Sequence, residues 1–199
     1  MAATAVAVTG DVGAGKSTVA RLFTENLRGS VTLDADAVAE DLWNRREIIE
    51  AAVNRWGGNI LDKNGNIVKS SVASRIFSAP EEYKWCCGLL HPLVMDELKK
   101  RVAVLGAEQS AVVEIPLLFE AGRPEWVTSV VFVTAPRELR LKRRREQRGW
   151  DDAELARREK FFLPSDERIK LSDFVIDNSN GLHELEDEVR RIINNMRGE

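Results

Sequence analysis

Cysteine and histidine are scarce in this chain, two of each among 199 residues. The cysteines are the neighbours Cys86 and Cys87. Adjacent cysteines are poorly placed to bridge each other, and with two histidines they are too few for a zinc cluster. Disulfide scaffolds and zinc modules are thereby set aside. Long apolar runs are missing too: nothing approaches the roughly 18 residues that span a bilayer. The first ten residues carry no Lys or Arg ahead of an apolar stretch, so no secretory leader is expected. Positive charge is not in excess either. The 29 basic and 32 acidic side chains leave a formal charge of -3, so no global field invites nucleic acid. Internal repeats, low-complexity tracts and long linkers are absent from the sequence. What is there is 44% hydrophobic and 31% charged, a globular composition of about one domain's length. The expectation is a cytoplasmic protein without a membrane or nucleic-acid partner.

Four short apolar runs stand out, Ala5–Thr9, Ser30–Leu33, Ser110–Ile115 and Ser129–Thr134, with a fifth at Asp173–Ile176. Their near-continuous apolar character predicts strands covered on both faces. Helical spacing fills the intervals. Leu182, Leu185, Val189, Ile192 and Ile193 form one stripe, with Glu184, Glu186, Glu188 and Arg190 opposite. Strands alternating with helices predict an α/β fold: a five-stranded parallel sheet flanked by helices, with right-handed crossovers. Two helical segments interrupt the alternation. In residues 37–105 the pattern is broken by turn chemistry at Gly57-Gly58 and Asn64-Gly65, and residues 137–171 are dense in charge.

The sharpest signal is Gly10-Asp11-Val12-Gly13-Ala14-Gly15-Lys16-Ser17. It fits G-x-x-x-x-G-K-[ST], directly after the first strand and before a helix-compatible stretch, Thr18 to Leu27. Gly10, Gly13 and Gly15 let the loop curl so that backbone N–H groups point at phosphate oxygens. The following helix adds its positive end. Lys16 can reach β- and γ-phosphates, and the Ser17 hydroxyl can take a place on Mg²⁺. The residues expected to bind a nucleoside triphosphate are therefore Gly13, Ala14, Gly15, Lys16, Ser17 and Thr18. The glycine order G-x-x-G-x-G followed by Lys-Ser is a poor match to a dinucleotide loop.

Such a loop does not by itself separate a switch GTPase, a motor and a small-molecule kinase. No Asn-Lys-x-Asp guanine reader occurs. Asp34 and Asp36 leave the carboxyl edge of the predicted sheet, where a carboxylate can accept a hydroxyl proton, help hold Mg²⁺ or cap the next helix. Ala37, Val38 and Leu42 would form that helix's apolar side. Glu114, closing another strand, could reach Mg²⁺ through water or serve as a strand cap. Seven basic residues fall within twelve, Arg137, Arg140, Lys142, Arg143, Arg144, Arg145 and Arg148. They cannot share one helix face, so some are solvated. The run suits a lid that neutralises a transferring phosphoryl group, and no interleaved aromatics favour stacked bases. The five tryptophans and the two cysteines read as packing residues.

Several blocks together resemble the dephospho-CoA kinases in order and spacing. They are the phosphate loop, Leu33-Asp34-Ala35-Asp36, Ile76-Phe77 with Pro80-Glu81-Glu82, Leu89-Leu90-His91-Pro92-Leu93, Pro116-Leu117-Leu118-Phe119-Glu120 and Asp173-Phe174-Val175-Ile176-Asp177-Asn178. The resemblance covers nearly the whole chain, and the His-Pro and Pro-Leu-Leu-Phe-Glu blocks are its most specific parts. It implies Mg²⁺·ATP-dependent phosphorylation of the ribose 3′-hydroxyl of dephospho-CoA, the last step of coenzyme A synthesis. It implies a core of about residues 1–36, 106–136 and 172–199, a helical CoA-binding insertion at about 37–105 and a lid at about 137–171. It also implies Asp36 as base and His91, Pro116 and Glu120 in the acceptor cleft. Lys16 and Arg143 would then act on the transferring group.

This chain departs from the family where Arg140 and Phe162 replace a frequent Gln. Gln147 stands where a lid Arg is common, which leaves Arg144 or Arg148 to supply that contact. On the residues alone, His91 before Pro92 could simply end a helix. A nucleotide kinase with another acceptor and an RNA-associated nucleotide-binding module are the rival readings.

Overall fold

The computed structural model describes residues 4–106 and 108–197. Five strands form one sheet in the order β2-β3-β1-β4-β5, every pair parallel. They are β1 (Thr4–Gly10), β2 (Ser30–Asp34), β3 (Ser110–Glu114), β4 (Ser129–Thr134) and β5 (Phe174–Asp177). The ten α-helices that the described residues form are α1 (Lys16–Asn26), α2 (Ala35–Leu42), α3 (Arg46–Trp56), α4 (Lys69–Ile76), α5 (Pro80–Ala103), α6 (Leu118–Ala121), α7 (Arg137–Arg148), α8 (Asp152–Glu159), α9 (Ser165–Lys170) and α10 (Leu182–Arg197), with one 3₁₀ turn at Gly58–Ile60. No described helix is long and apolar enough to cross a membrane. The chain divides into two compact units, one holding residues up to Asp34 and from Lys99 onward, the other Ala35–Leu98.

In the sheet unit, alternation along each strand decides which face a side chain covers. Val6 and Val8 of β1, Val112 of β3, and Val131 and Val133 of β4 pack with Val19, Leu22 and Phe23 of α1 and with Val189, Ile192 and Ile193 of α10. Their neighbours Ala5, Ala7, Val113, Val130 and Phe132 are buried as well. Only the three inner strands are covered on both faces. At the edges, β2 and β5 leave Thr32, Asp34, Val175 and Asp177 exposed, because each has a sheet neighbour on one side alone. Leu182 also departs from expectation. It opens α10 and is 54% exposed, so the buried stripe starts at Leu185.

The helical unit has its own core of Ala52, Trp56, Ile60 and Val72, with Trp43 and Trp85 against it. Trp56 and Trp85 meet edge-on with centroids 4.9 Å apart, a favourable aromatic geometry. Glu82 accepts from the Trp56 indole N–H at 2.5 Å and from both Arg55 Nε and Nη2. Those bonds, with the Arg55 contribution first, hold the Glu82 carboxyl below its ordinary pKa. The turn at 62–66 closes on Asp62, whose Oδ1 accepts from the amides of Asn64 and Asn66. Gly65 takes φ 84° there, a conformation that glycine adopts without strain.

Pro92 does not end a helix: α5 runs through it to Ala103. The missing Pro92 N–H would leave the Gly88 carbonyl without its helical donor. Gly88 is exposed, so solvent can serve that oxygen. In α2 the buried side is Ala35, Val38 and Leu42, while Ala37 faces outward.

Candidate active site

β1 and β3 flank the point where the sheet's connections change direction, the place where open α/β sheets receive ligands. The loop from Gly10 to Ser17 leaves β1 there. Gly10, Gly13 and Gly15 take φ of 146°, 83° and 97°, values that side chains disfavour. A Cβ on Gly10 would lie 2.1 Å from the Val133 carbonyl oxygen, and one on Gly15 would lie 2.4 Å from Asn178 Nδ2. The loop is therefore both left-handed and tightly backed. Gly15 precedes α1 and offers no side chain to occupy its amides. The first helical bond is Val19 N–H to Gly15 O at 3.1 Å. The amides of Lys16, Ser17 and Thr18 come before it, in the first turn, where backbone N–H groups have no carbonyl of their own helix to bond. That is the architecture of an anion receptor.

The carbonyls of the same loop are held by side chains from within it and from beyond it. The Lys16 ammonium, 7% exposed, donates to Asp11 O at 3.1 Å and Gly10 O at 3.4 Å. Arg140 Nη1 donates to Val12 O at 3.1 Å, and its Nε to Ala135 O at 3.0 Å. Ala14 O accepts from Arg143 Nη1 at 3.1 Å and from Asn178 Nδ2 at 2.7 Å. Arg143 Nη2 reaches Asn178 O at 2.9 Å, and burial pulls its guanidinium pKa down. With those carbonyls engaged, the Ala14 N–H also turns back onto the loop, to Asp11 O at 3.2 Å. Two of the seven clustered cations thus grip the loop's main chain. Arg144 and Arg148 instead lie over the Trp150 ring, 5.6 and 5.9 Å from its centroid, with Arg158 at 5.0 Å.

Ser17 is exposed, and its hydroxyl donates to Glu114 Oε1 at 3.1 Å. Glu114 ends β3 and pairs in register with Asp34 at the end of β2. A hydroxyl and carboxylates at one sheet edge are the hard oxygen donors that suit Mg²⁺. Pro116 follows on the same edge, its carbonyl accepting from Thr9 Oγ1 at 3.3 Å. Glu120 lies on α6 and accepts from the Leu163 amide at 2.8 Å through Oε1. Its Oε2 is buried with no hydrogen-bond partner among the described residues.

Asp36 and His91 belong to the helical unit. Asp36 is exposed in the first turn of α2, two residues beyond Asp34, where a carboxylate meets the positive end of the helix. Asp34 stands at the position directly before the helix. His91 is half-buried within α5, and desolvation holds its imidazole below the usual histidine pKa.

Sequence reasoning gave no role to Asp11, Thr134, Ser165, Arg168 or Asn178. Asn178 carried a signal, since it closes the final quoted block. The others meet only through contacts across more than a hundred residues, apart from the local pair Ser165 and Arg168.

A model of the dephospho-CoA kinase family matches residues 4–184. This chain belongs to the dephospho-CoA kinase family. A dephospho-CoA kinase of Aquifex aeolicus is 31% identical over 188 residues, covering 94% of both chains. Among solved structures, TT1252 from Thermus thermophilus superposes with a TM-score of 0.81 at 29% identity, covering 98% of each chain. A dephospho-CoA kinase from Campylobacter jejuni superposes with a TM-score of 0.66 at 25% identity, covering 96% of each chain. The match reaches beyond the phosphate loop. Its span includes the His91-Pro92 and Pro116–Glu120 segments that carried the resemblance.

Proposed function

We propose that this chain transfers the terminal phosphoryl group of ATP to the ribose 3′-hydroxyl of dephospho-CoA, releasing ADP and coenzyme A. The observation that carries this is a family match spanning residues 4–184, seated on a phosphate loop already shaped to receive a polyphosphate. The amides of Gly13 and of Gly15 to Thr18 and the Lys16 ammonium bind and orient the ATP phosphates, while Ala14 between them closes the loop through its N–H to Asp11 O at 3.2 Å. Ser17, with Glu114 beside it at 3.1 Å, would hold Mg²⁺. Bound there, that ion supplies charge neutralisation for the phosphates. Asp36 takes the proton of the 3′-hydroxyl as its oxygen bonds to phosphorus and the bond to the leaving ADP oxygen breaks. Two residues of chain hold the Asp36 Cα within about 7 Å of that of Asp34 at the sheet's carboxyl edge. Arg143 supports the transferring group. Each of its Nη atoms gives one hydrogen to a carbonyl and has a second to direct at phosphoryl oxygen.

Residues 37–105 form the acceptor-binding part in this reading, with His91, Pro116 and Glu120 toward dephospho-CoA. Residues 137–171 act as the lid that excludes water. The substrates are small molecules, and the unbridged thiols of Cys86 and Cys87 support a cytoplasmic setting.

The test is ADP release with dephospho-CoA, AMP, CMP and nucleosides as acceptors, with the product mapped for a new 3′-phosphate. Turnover with dephospho-CoA alone is expected. Turnover with AMP or CMP and none with dephospho-CoA would overturn the assignment, and salt-dependent RNA binding with no ADP release would favour a binding module.

A further inference from the structure

One buried charge pair has no part in the chemistry above. Asp11 and Arg168 are 157 residues apart in sequence, and Arg168 Nη2 lies 2.8 Å from Asp11 Oδ1. The two side chains are 6% and 5% exposed. The carboxylate also accepts from Ser165 Oγ at 2.5 Å and Thr134 Oγ1 at 2.9 Å. The guanidinium carbon stands 5.1 and 5.3 Å from the ring centroids of Phe132 and Phe162. A buried ion pair adds little net stability over an apolar replacement, because desolvation offsets the attraction. Its position supplies another reason for it. Asp11 is the second residue of the phosphate loop, and its carbonyl accepts from the Lys16 ammonium. The Gly10 carbonyl accepts from both Lys16 Nζ and Arg168 Nη1, the latter at 3.3 Å. The pair therefore fixes the two peptide units against which Lys16 is set.

We propose that Asp11 and Arg168 are a positioning pair that holds the loop in its phosphate-receiving shape and aims Lys16, without touching nucleotide. This rests on the ATP-binding role given above. The pair ties α9 to the loop, so Phe162 and Arg168 help shape the nucleotide site from the segment assigned as lid.

Two substitutions isolate the effect. Asp11→Asn keeps the shape: its oxygen can face Arg168 and Ser165, its amide can face Thr134, and only the charge is lost. Arg168→Lys keeps the charge and loses the span from Gly10 O to Asp11. ADP affinity is measured by calorimetry on the full chain, first for the wild type. A wild type that binds no ADP overturns the ATP reading itself, before any variant is considered. For each variant, a misplaced loop should raise the Kd of ADP and the KM of ATP about 10-fold and lower kcat/KM for ATP about 100-fold. The KM of dephospho-CoA should stay within about 2-fold. Variants that fold and match the wild type overturn the proposal, and so do losses shared equally by both substrates. Should either variant fail to fold, Ser165→Ala and Thr134→Val carry the test. Each removes one hydroxyl donor to the carboxylate, and Ser165→Ala also removes an acceptor of Arg168 Nη2; each should raise the Kd of ADP about 2- to 5-fold. An unchanged Kd in both overturns the proposal.

Discussion

Gly15→Ala measures how tightly the phosphate loop is backed. Alanine at φ 97° costs about 1–2 kcal/mol of left-handed strain. The new Cβ would also lie 2.4 Å from Asn178 Nδ2, so the amide must swing away and lose its 2.7 Å bond to Ala14 O. Asn178 is buried, and an unmet bond at such a site costs about 1–3 kcal/mol. The sum is about 2–5 kcal/mol. Gly149→Ala is the matched control, since Gly149 takes φ 67° with nothing within 4 Å of an added Cβ. It should cost the strain alone, about 1–2 kcal/mol. Urea unfolding of both variants gives the difference, and ADP titration shows whether it falls on the loop. If so, ADP affinity drops about 5- to 150-fold in Gly15→Ala, at 1.4 kcal/mol per decade, and is unchanged in Gly149→Ala. Equal destabilisation of the two variants, with ADP bound normally by Gly15→Ala, would refute the close approach of Asn178.

Asp36→Asn should lower kcat about 10²- to 10⁴-fold while leaving the KM of ATP nearly unchanged; full activity in steady-state assays would end its role as base. His91 is held below its ordinary pKa by burial. The unfolded chain therefore takes up that proton first as pH falls below about 6.5, and stability is lost from there down to the folded pKa. Urea unfolding as a function of pH should show this acid loss in the wild type and not in His91→Gln, and identical slopes would contradict it. Burial, with Cys87 adding, pushes the Cys86 thiol pKa up to about 12. Iodoacetamide should thus modify Cys86 only after unfolding, and its alkylation in the native protein, read by mass spectrometry, would count against that burial.

The parts that sequence alone revealed are those whose cause is local. Continuous apolar runs marked all five strands to within a residue at most ends. The glycines of the loop announced their own positive φ. The predicted helix after the loop starts two residues early, at Lys16, because Gly15 itself makes the turn. What stayed hidden depends on partners far along the chain. Nothing near Asp11 announces Arg168, and no local pattern distinguishes Arg140 and Arg143, which grip loop carbonyls, from Arg144 and Arg148, which lie over Trp150. Helix α5 passing through Pro92 was equally unreadable, since it turns on whether the Gly88 carbonyl can meet solvent.

The order of strands in the sheet bears on how the chain comes together during synthesis. β1 is made first but sits in the middle, with Val6 beside Val112 on one side and Ser129 on the other. More than a hundred residues must leave the ribosome before its apolar ribbon finds either neighbour, whereas the tryptophan cluster at residues 43–85 needs only nearby chain. Contacts so distant make assembly slow and leave sticky surface uncovered meanwhile. The nascent amino-terminal ribbon is where chaperones would be expected to bind.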